Sequence, residues 1–297
     1  MTKTAFIAIV GRPNVGKSTL MNALLGEKIA IVSSKPQTTR NRIMGILTKD
    51  ENQFVFLDTP GIHKPKSKLG SYMMKSVRSS LGSADAVILI ADAGRAPGET
   101  ERNVIEQVKK DELPAMLVLN KIDLYKREEI AETISQYATL YDFDAFVPVS
   151  AMKGKNVEDV LDEAEKFLYE GDWFFEEDMI TDQPEKQIAA EIIREKLLRM
   201  LSKEIPHGTA VVIEEFKDEE TLISVRAEIF CEKASHKGII VGKNGETLKK
   251  IGTYAREDME SFFGVKVYLN LWVKVKENWR DNDFNLNNFG FNPSDLD

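Results

Sequence analysis

Eight residues near the start of the chain constrain its fold more than any others. Gly11-Arg12-Pro13-Asn14-Val15-Gly16-Lys17-Ser18 directly follows the apolar run at 6–10 and fits the pattern G-x-x-x-x-G-K-[ST]. Entered from a strand and left by a helix, that pattern is a phosphate cradle. Its glycines let the backbone curl so that successive N–H groups point at phosphate oxygens. Lys17 is expected to reach the β- and γ-phosphates and Ser18 to place its hydroxyl on Mg²⁺, with Thr19 next in the cradle. A helix predicted over 18–25 adds the favourable field of its N-terminus.

A cradle of this kind needs a parallel sheet, and the next 150 residues supply the pattern for one. Short runs rich in Val, Ile, Leu and Phe at 6–10, 54–57, 87–91, 116–119 and 146–149 alternate with segments of helical length at 99–110 and 128–140. Continuous apolar runs fit strands buried on both faces, and the alternation reads as repeated βαβ units. The fold class is therefore α/β, a doubly wound, mostly parallel sheet, with 43–48 as an added strand antiparallel to 54–57. A helix over 157–168 closes this part. With 297 residues and roughly 150 per domain, a second domain is expected. The division is a phosphate-binding domain over 1–170, a linker over 171–184 that docks in part through Trp173-Phe174-Phe175, and a smaller α+β domain over 185–280. An Asn- and Asp-rich tail over 281–297 is expected to be loosely ordered.

The remaining motifs fall at strand ends. Asp58-Thr59-Pro60-Gly61 follows the 54–57 run, on the edge where parallel sheets bind ligands. Asp58 is expected to help hold Mg²⁺ and the Gly61 N–H to sense a γ-phosphate. Of Thr38 and Thr39, in the polar segment before 43–48, Thr39 is the expected second hydroxyl on the metal, ordered only while a γ-phosphate is present. Asn120-Lys121-Ile122-Asp123 ends the 116–119 run. The Asp123 carboxylate can accept from guanine N1–H and its exocyclic amine; adenine offers no such pair, and an unpaired buried carboxylate is costly. Asn120 is expected to tether the cradle, the Lys121 stem to cover the ring, and Ser150-Ala151-Met152 to offer a backbone N–H to the guanine oxygen. These residues predict a nucleoside triphosphatase that selects GTP and GDP. Ile62 follows Gly61 where a water-orienting glutamine is usual in Ras-like enzymes; its side chain can neither donate nor accept. His63 is available as a base but reads more simply as an exposed loop residue.

In the second part, Gly242-Lys243-Asn244-Gly245 lies between Ile239-Ile240-Val241 and a predicted helix over 246–263. Between Ser235 and Arg256 there are five cations, with Lys237, Lys243, Lys249 and Lys250 among them, against Glu246. That local balance opposes the whole chain, where 40 Lys and Arg face 48 Asp and Glu for a net −8. Paired glycines let a loop press on a sugar-phosphate backbone while Lys243 neutralises it. This part resembles a KH domain, of the type whose order is helix–strand–strand–helix–helix–strand. Ile239, Ile240 and Val241 are expected to floor a groove for single-stranded RNA, flanked by Asn244 and the lysines. The single cysteine, Cys231, excludes an internal disulfide and a multi-cysteine zinc site. No apolar stretch approaches the ~20 residues that cross a bilayer, and the N-terminus lacks the layout of a signal peptide.

The motif set up to about residue 170 is similar to that of the translation-factor-related GTPases, and its union with one KH domain resembles the Era family. The resemblance implies a cytoplasmic, monomeric GTPase that helps mature the small (30S) ribosomal subunit, binds 16S rRNA near its 3′ end when GTP-loaded, and associates peripherally with the cell membrane. It also implies that Asn14 helps bind K⁺ beside the β- and γ-phosphates, in place of an arginine finger. Two alternatives are a nucleotide-gated RNA-binding module with negligible hydrolysis and a tRNA-modification-related GTPase. The latter normally carries a further catalytic module and a terminal cysteine motif, neither visible in this sequence.

Overall fold

The computed structural model describes residues 1–296, without the side chain of residue 295. Two compact units divide the chain: Met1–Lys64 with Met73–Asp182, and Pro65–Tyr72 with Gln183–Asp295.

The first unit is built on β1 (Lys3–Val10), α1 (Lys17–Leu25), β2 (Ile43–Lys49), β3 (Asn52–Asp58), α2 (Lys68–Gly82, in this unit from Met73 onward), β4 (Ala86–Asp92), α3 (Glu99–Lys110), β5 (Ala115–Asn120), α4 (Arg127–Ala138), β6 (Ala145–Pro148), α5 (Val157–Ala164) and β7 (Tyr169–Glu170). The strand order is β2-β3-β1-β4-β5-β6, with β7 paired to the start of β1. All neighbours are parallel except β2–β3 and β1–β7, so the doubly wound reading and the antiparallel 43–48 strand both hold. The uninterrupted apolar runs are explained by burial: from Ala86 to Ala91 every residue of β4 is buried, as is all of β5. From β1 the chain builds the sheet in one direction to β3 and in the other to β4, so the end of β1 is the point of reversal where such sheets take ligands.

Residues 171–182 pack as part of this unit. Phe174 lies against Phe6 with ring centroids 4.7 Å apart, the Phe174 and Phe175 N–H groups donate to Gln53 Oε1, and the Ile46 N–H donates to the Ile180 carbonyl. The aromatic docking read from the sequence is thus present. No helix is expected from the sequence over 68–82, where α2 lies.

The second unit has α6 (Glu185–Met200), β8 (Thr209–Glu219), β9 (Leu222–Cys231), α7 (Ala234–Val241), α8 (Glu246–Phe263), β10 (Lys266–Val275) and α9 (Asp283–Asn288). Its sheet runs β10-β9-β8, with β9 antiparallel to β8 and parallel to β10. Alternate residues of β9, from Ile223 to Cys231, are buried and meet Ile192, Leu197, Ile251 and Met259 from the helices in one core. The expectation of a loose tail is corrected here. Trp279 is fully buried and donates from Nε1 to the Gly208 carbonyl at 3.0 Å. Phe289 stacks on Phe230 at 4.5 Å and meets Trp279 edge-on. The Asn282 side chain caps α9. Asparagines here terminate and cap short helices while the scattered phenylalanines bury. Residue 297 lies outside the described residues.

Candidate functional site

The cradle spans the turn from β1 to α1. Gly16, at φ 103°, precedes the first helical residue, and a Cβ there would stand 2.2 Å from Asn120 Nδ2. No side chain fits, because Asn120 uses that space to donate to the Val15 carbonyl at 2.8 Å. Its Oδ1 accepts from the Lys121 and Ala151 N–H groups at 2.8 and 3.0 Å. One asparagine therefore ties together the ends of β1, β5 and β6. Of the Ser150-Ala151-Met152 turn expected to offer a backbone N–H to the base, the Ala151 N–H is engaged by Asn120, which positions the turn, and Met152 beside it is exposed.

Asp123 Oδ1 accepts from Ser150 Oγ at 2.7 Å, and Oδ2 pairs with Lys153 at 3.2 Å. These contacts hold its carboxyl below the usual carboxylate range. Asp92 is a residue the sequence reading missed: its Oδ2 takes the Lys121 ammonium at 2.8 Å, which fixes the side chain meant to cover the ring. Arg12 is likewise anchored, through a 2.5 Å pair with the buried Glu101 of α3.

The three residues assigned to the metal converge. Asp58 is fully buried, and its Oδ2 accepts from Ser18 Oγ at 2.6 Å and Thr39 Oγ1 at 3.2 Å. The two hydroxyls are 2.9 Å apart. Thr38 instead donates to the Lys35 carbonyl, which distinguishes it from Thr39. Asp58 Oδ1 is buried without a hydrogen-bond partner, an acceptor set for a ligand such as metal-bound water. No group of three or more His, Cys, Asp or Glu among the described residues could hold a metal. Ser18, Thr39 and Asp58 bring together only oxygen atoms, the donor type that Mg²⁺ takes.

Lys17 is buried and donates to the Gly11 and Arg12 carbonyls. Burial lowers its pKa to about 8, partly offset by Asp58; burial pushes the Asp58 carboxyl up, with Lys17, Ser18 and Thr39 opposing. The lysine has a pH signature. Its folded pKa lies below the unfolded value, so between about 8 and 10.5 the unfolded chain binds more protons and stability rises with pH. Denaturant titration without nucleotide at pH 7.5 and 9.5 should show wild type gaining about 2 kcal/mol relative to Lys17→Met. Parallel pH profiles for the two proteins would contradict the buried ammonium.

Around the γ-phosphate position, Pro13 sits so close to Gly61 that a Cβ there would meet Pro13 Cα at 2.7 Å, while Pro60 and Thr59 are buried, Thr59 donating to the Ile9 carbonyl. Ile62 packs against the apolar cluster of β4, β5 and α3, so it plays no part in orienting water. His63 is held between the Gly61 carbonyl and Gln37. Asn14, at φ 65°, donates from Nδ2 to the Ser34 carbonyl at 2.9 Å, which leaves its amide oxygen for a cation.

In the second unit, Gly242 to Gly245 links α7 to α8. Gly242 has φ 74°, and a Cβ there would lie 2.2 Å from Thr247 Oγ1. Lys237, Lys243, Asn244, Lys249 and Lys250 are all exposed. The expected groove floor is corrected. Ile240 is fully buried in the core and Val241 packs against it, while Ile239 is half exposed. Helical geometry turns three successive side chains in different directions, so they cannot share one surface. The groove, about 410 Å³, lies instead between α8 and the edge strand β10, lined by Gly245, Leu248, Lys249, Gly252, Thr253, Arg256, Leu269 and Leu271.

Comparison with known proteins agrees with this geometry. Residues 6–121 match the family model of 50S ribosome-binding GTPases, and residues 204–280 match that of KH domains. GTPase Era of Clostridium kluyveri is 51% identical over 98% of this chain and all of its own. Era of Ruminiclostridium cellulolyticum is 49% identical over 97% of each. Two solved structures, each 38% identical and covering 98% of this chain and all of theirs, superpose with TM-scores of 0.94: Era with MgGDPNP and nucleotides 1506–1542 of 16S ribosomal RNA, and an Aquifex aeolicus Era variant bound to GDP and AlF4⁻. At 51% and 49% identity to two curated Era GTPases over nearly its whole length, the chain belongs to the Era family of GTPases.

Proposed function

We propose that this GTPase uses its nucleotide state to govern binding of the 3′ region of 16S rRNA, and so acts in assembly of the small ribosomal subunit. The observation that carries this reading is the Gly242–Gly245 loop opening onto a groove beside exposed lysines. It is supported by the 38% identical relative whose structure holds that RNA together with a GTP analogue. Peripheral membrane association and a monomeric state belong to the same reading, in a chain in which no described helix is long and apolar enough to cross a membrane.

In hydrolysis, the cradle N–H groups and Lys17 hold the β- and γ-phosphates in line for attack, which is most of what phosphoryl transfer requires of a protein. Ser18 and Thr39 would ligate Mg²⁺, with Asp58 accepting from its water; the ion supplies charge neutralisation of the phosphates. Thr39 can serve only while the 35–42 loop is folded over the γ-phosphate, and the Gly61 N–H, at the start of the 61–69 loop, reports the same phosphate. Loss of that phosphate frees both loops.

With Ile62 turned into the apolar core, charge stabilisation must come from elsewhere, and the Asn14 amide oxygen suits K⁺. Single-turnover hydrolysis is expected to run at least about ten-fold faster in K⁺ than in Na⁺, and Asn14→Ala should remove the difference. Equal rates for wild type in the two salts would dismiss the potassium site. The wider proposal is tested by measuring affinity of the GTP-analogue and GDP forms for the 1506–1542 RNA, with phosphate release followed in its presence and absence. Identical affinities of both forms would leave the RNA unconnected to the nucleotide.

A further inference from the structure

Strand β10 alternates strictly. Val267, Leu269, Leu271 and Val273 turn toward the helices, while Lys266, Tyr268, Asn270, Trp272 and Lys274 occupy the opposite face. On that outer face Tyr268 is 60% and Trp272 57% exposed. Neither ring contacts another aromatic ring among the described residues. Two large aromatics open to water on one strand are uncommon, since such side chains ordinarily bury most of their surface. The third aromatic of this face, Phe230, is covered by Phe289 of the chain's own C-terminal segment. That segment leaves Tyr268 and Trp272 bare.

Their neighbours indicate what covers them. Across the ladder, Tyr268 faces Ser224, Asn270 faces Arg226 and Trp272 faces Glu228. Arg226 and Lys274 are more than half exposed, and each is held by a single carboxylate, Glu215 and Glu228 respectively. Exposed pairs of this kind are weak, so either cation can be given over to a phosphate at little cost. Rings about 13 Å apart along a strand, with the Asn270 amide and the Arg226 guanidinium between them, match a sheet face that stacks bases and grips the backbone joining them. The same strand lines the groove through Leu269 and Leu271. An RNA strand leaving the groove at β10 therefore arrives at these rings.

We propose that the outer face of the β8–β10 sheet is a second RNA surface, on which Tyr268 and Trp272 stack unpaired bases of the RNA held by the groove. This rests on the RNA-binding reading given above, and the test separates the two. Full-length protein is titrated with the 1506–1542 RNA, following affinity and, in a Trp173→Phe background, tryptophan fluorescence; Trp279 is buried and serves as an internal reference. RNA should quench Trp272. Tyr268→Leu with Trp272→Leu should lower affinity about ten-fold or more and abolish the quenching, whereas Tyr268→Phe with Trp272→Phe should keep the affinity because a phenyl ring still stacks. Lys243→Asp, in the groove loop, should weaken binding whichever rings are present. Wild-type affinity in the double Leu variant, or equal loss in the Leu and Phe pairs, would overturn the stacking surface and leave the groove standing. Absence of RNA binding by the unmodified protein would overturn both.

Discussion

Replacing Asp123 with Asn is expected to lower affinity for GDP by about 10²-fold or more, and to raise affinity for xanthosine diphosphate. A carboxylate has about four acceptor sites. Ser150 Oγ and Lys153 use one on each oxygen, leaving one on each for guanine N1–H and its exocyclic amine. Two charge-assisted bonds at about 1.5–3 kcal/mol each account for that loss. An amide in the same place keeps one acceptor and turns an N–H₂ toward the guanine amine, donor against donor. Xanthine carries a carbonyl where guanine has the amine, so the same N–H₂ finds a partner there. Calorimetric titration of wild type and variant with both nucleotides reads the exchange directly. Undiminished GDP affinity in the variant would mean that Asp123 does not read the base.

Where the expected nucleotide-site residues fall in the fold could be read from the sequence because the motifs that carry them are local. Each motif is a short string fixed to the end of an apolar run, and a buried parallel strand leaves no ambiguity about where its end lies. The convergence of Ser18, Thr39 and Asp58 follows from three such strings meeting at one sheet edge. Asp92 and Glu101 escaped because each acts through a side chain from another segment, Lys121 and Arg12, and a lone carboxylate at a strand end or in a helix's first turn carries no spacing signal. Asp92 at the end of β4 was the better candidate, since it stands on the same ligand-binding edge as Asp58 and Asn120.

The second unit was less legible for a different reason. Its loop glycines announce themselves by conformational need, but a groove between a helix and an edge strand is assembled from residues far apart in the chain. Leu248 and Leu271 look like ordinary core positions in isolation, and the adjacent Ile239-Ile240-Val241 drew the floor to the wrong helix. The C-terminal segment was misjudged on composition: abundant Asn and Asp suggested disorder, although Trp279, Leu286, Phe289 and Phe291 gave it enough apolar surface to fold onto β9. Helix α2 is hard to read because Lys68–Gly82 mixes serines and lysines with its apolar face, and a single Ser67, whose Oγ accepts from the Gly70 N–H at 3.1 Å, is a weak signal among so many serines.

Gly242→Asp should reduce affinity for the 1506–1542 RNA by about 10²-fold or more while leaving GDP binding unchanged. Three effects act in one direction. At φ 74° any side chain adds about 1–2 kcal/mol of backbone strain. The new Cβ would fall 2.2 Å from Thr247 Oγ1 and 2.8 Å from its Cβ, so the first turn of α8 must shift and the loop loses its shape. The carboxylate then stands where a phosphate should approach. Because strain alone can unseat the loop without touching RNA, the exposed Lys243→Asp is the companion variant: it changes charge in a loop whose backbone it leaves alone. Its affinity should fall, and the salt dependence of binding should shrink by about 0.7 per lost phosphate contact on a single strand. A Lys243→Asp protein with the wild-type salt slope would place the phosphates elsewhere than at this loop. A Gly242→Asp protein that also lost GDP binding would trace its defect to the fold as a whole.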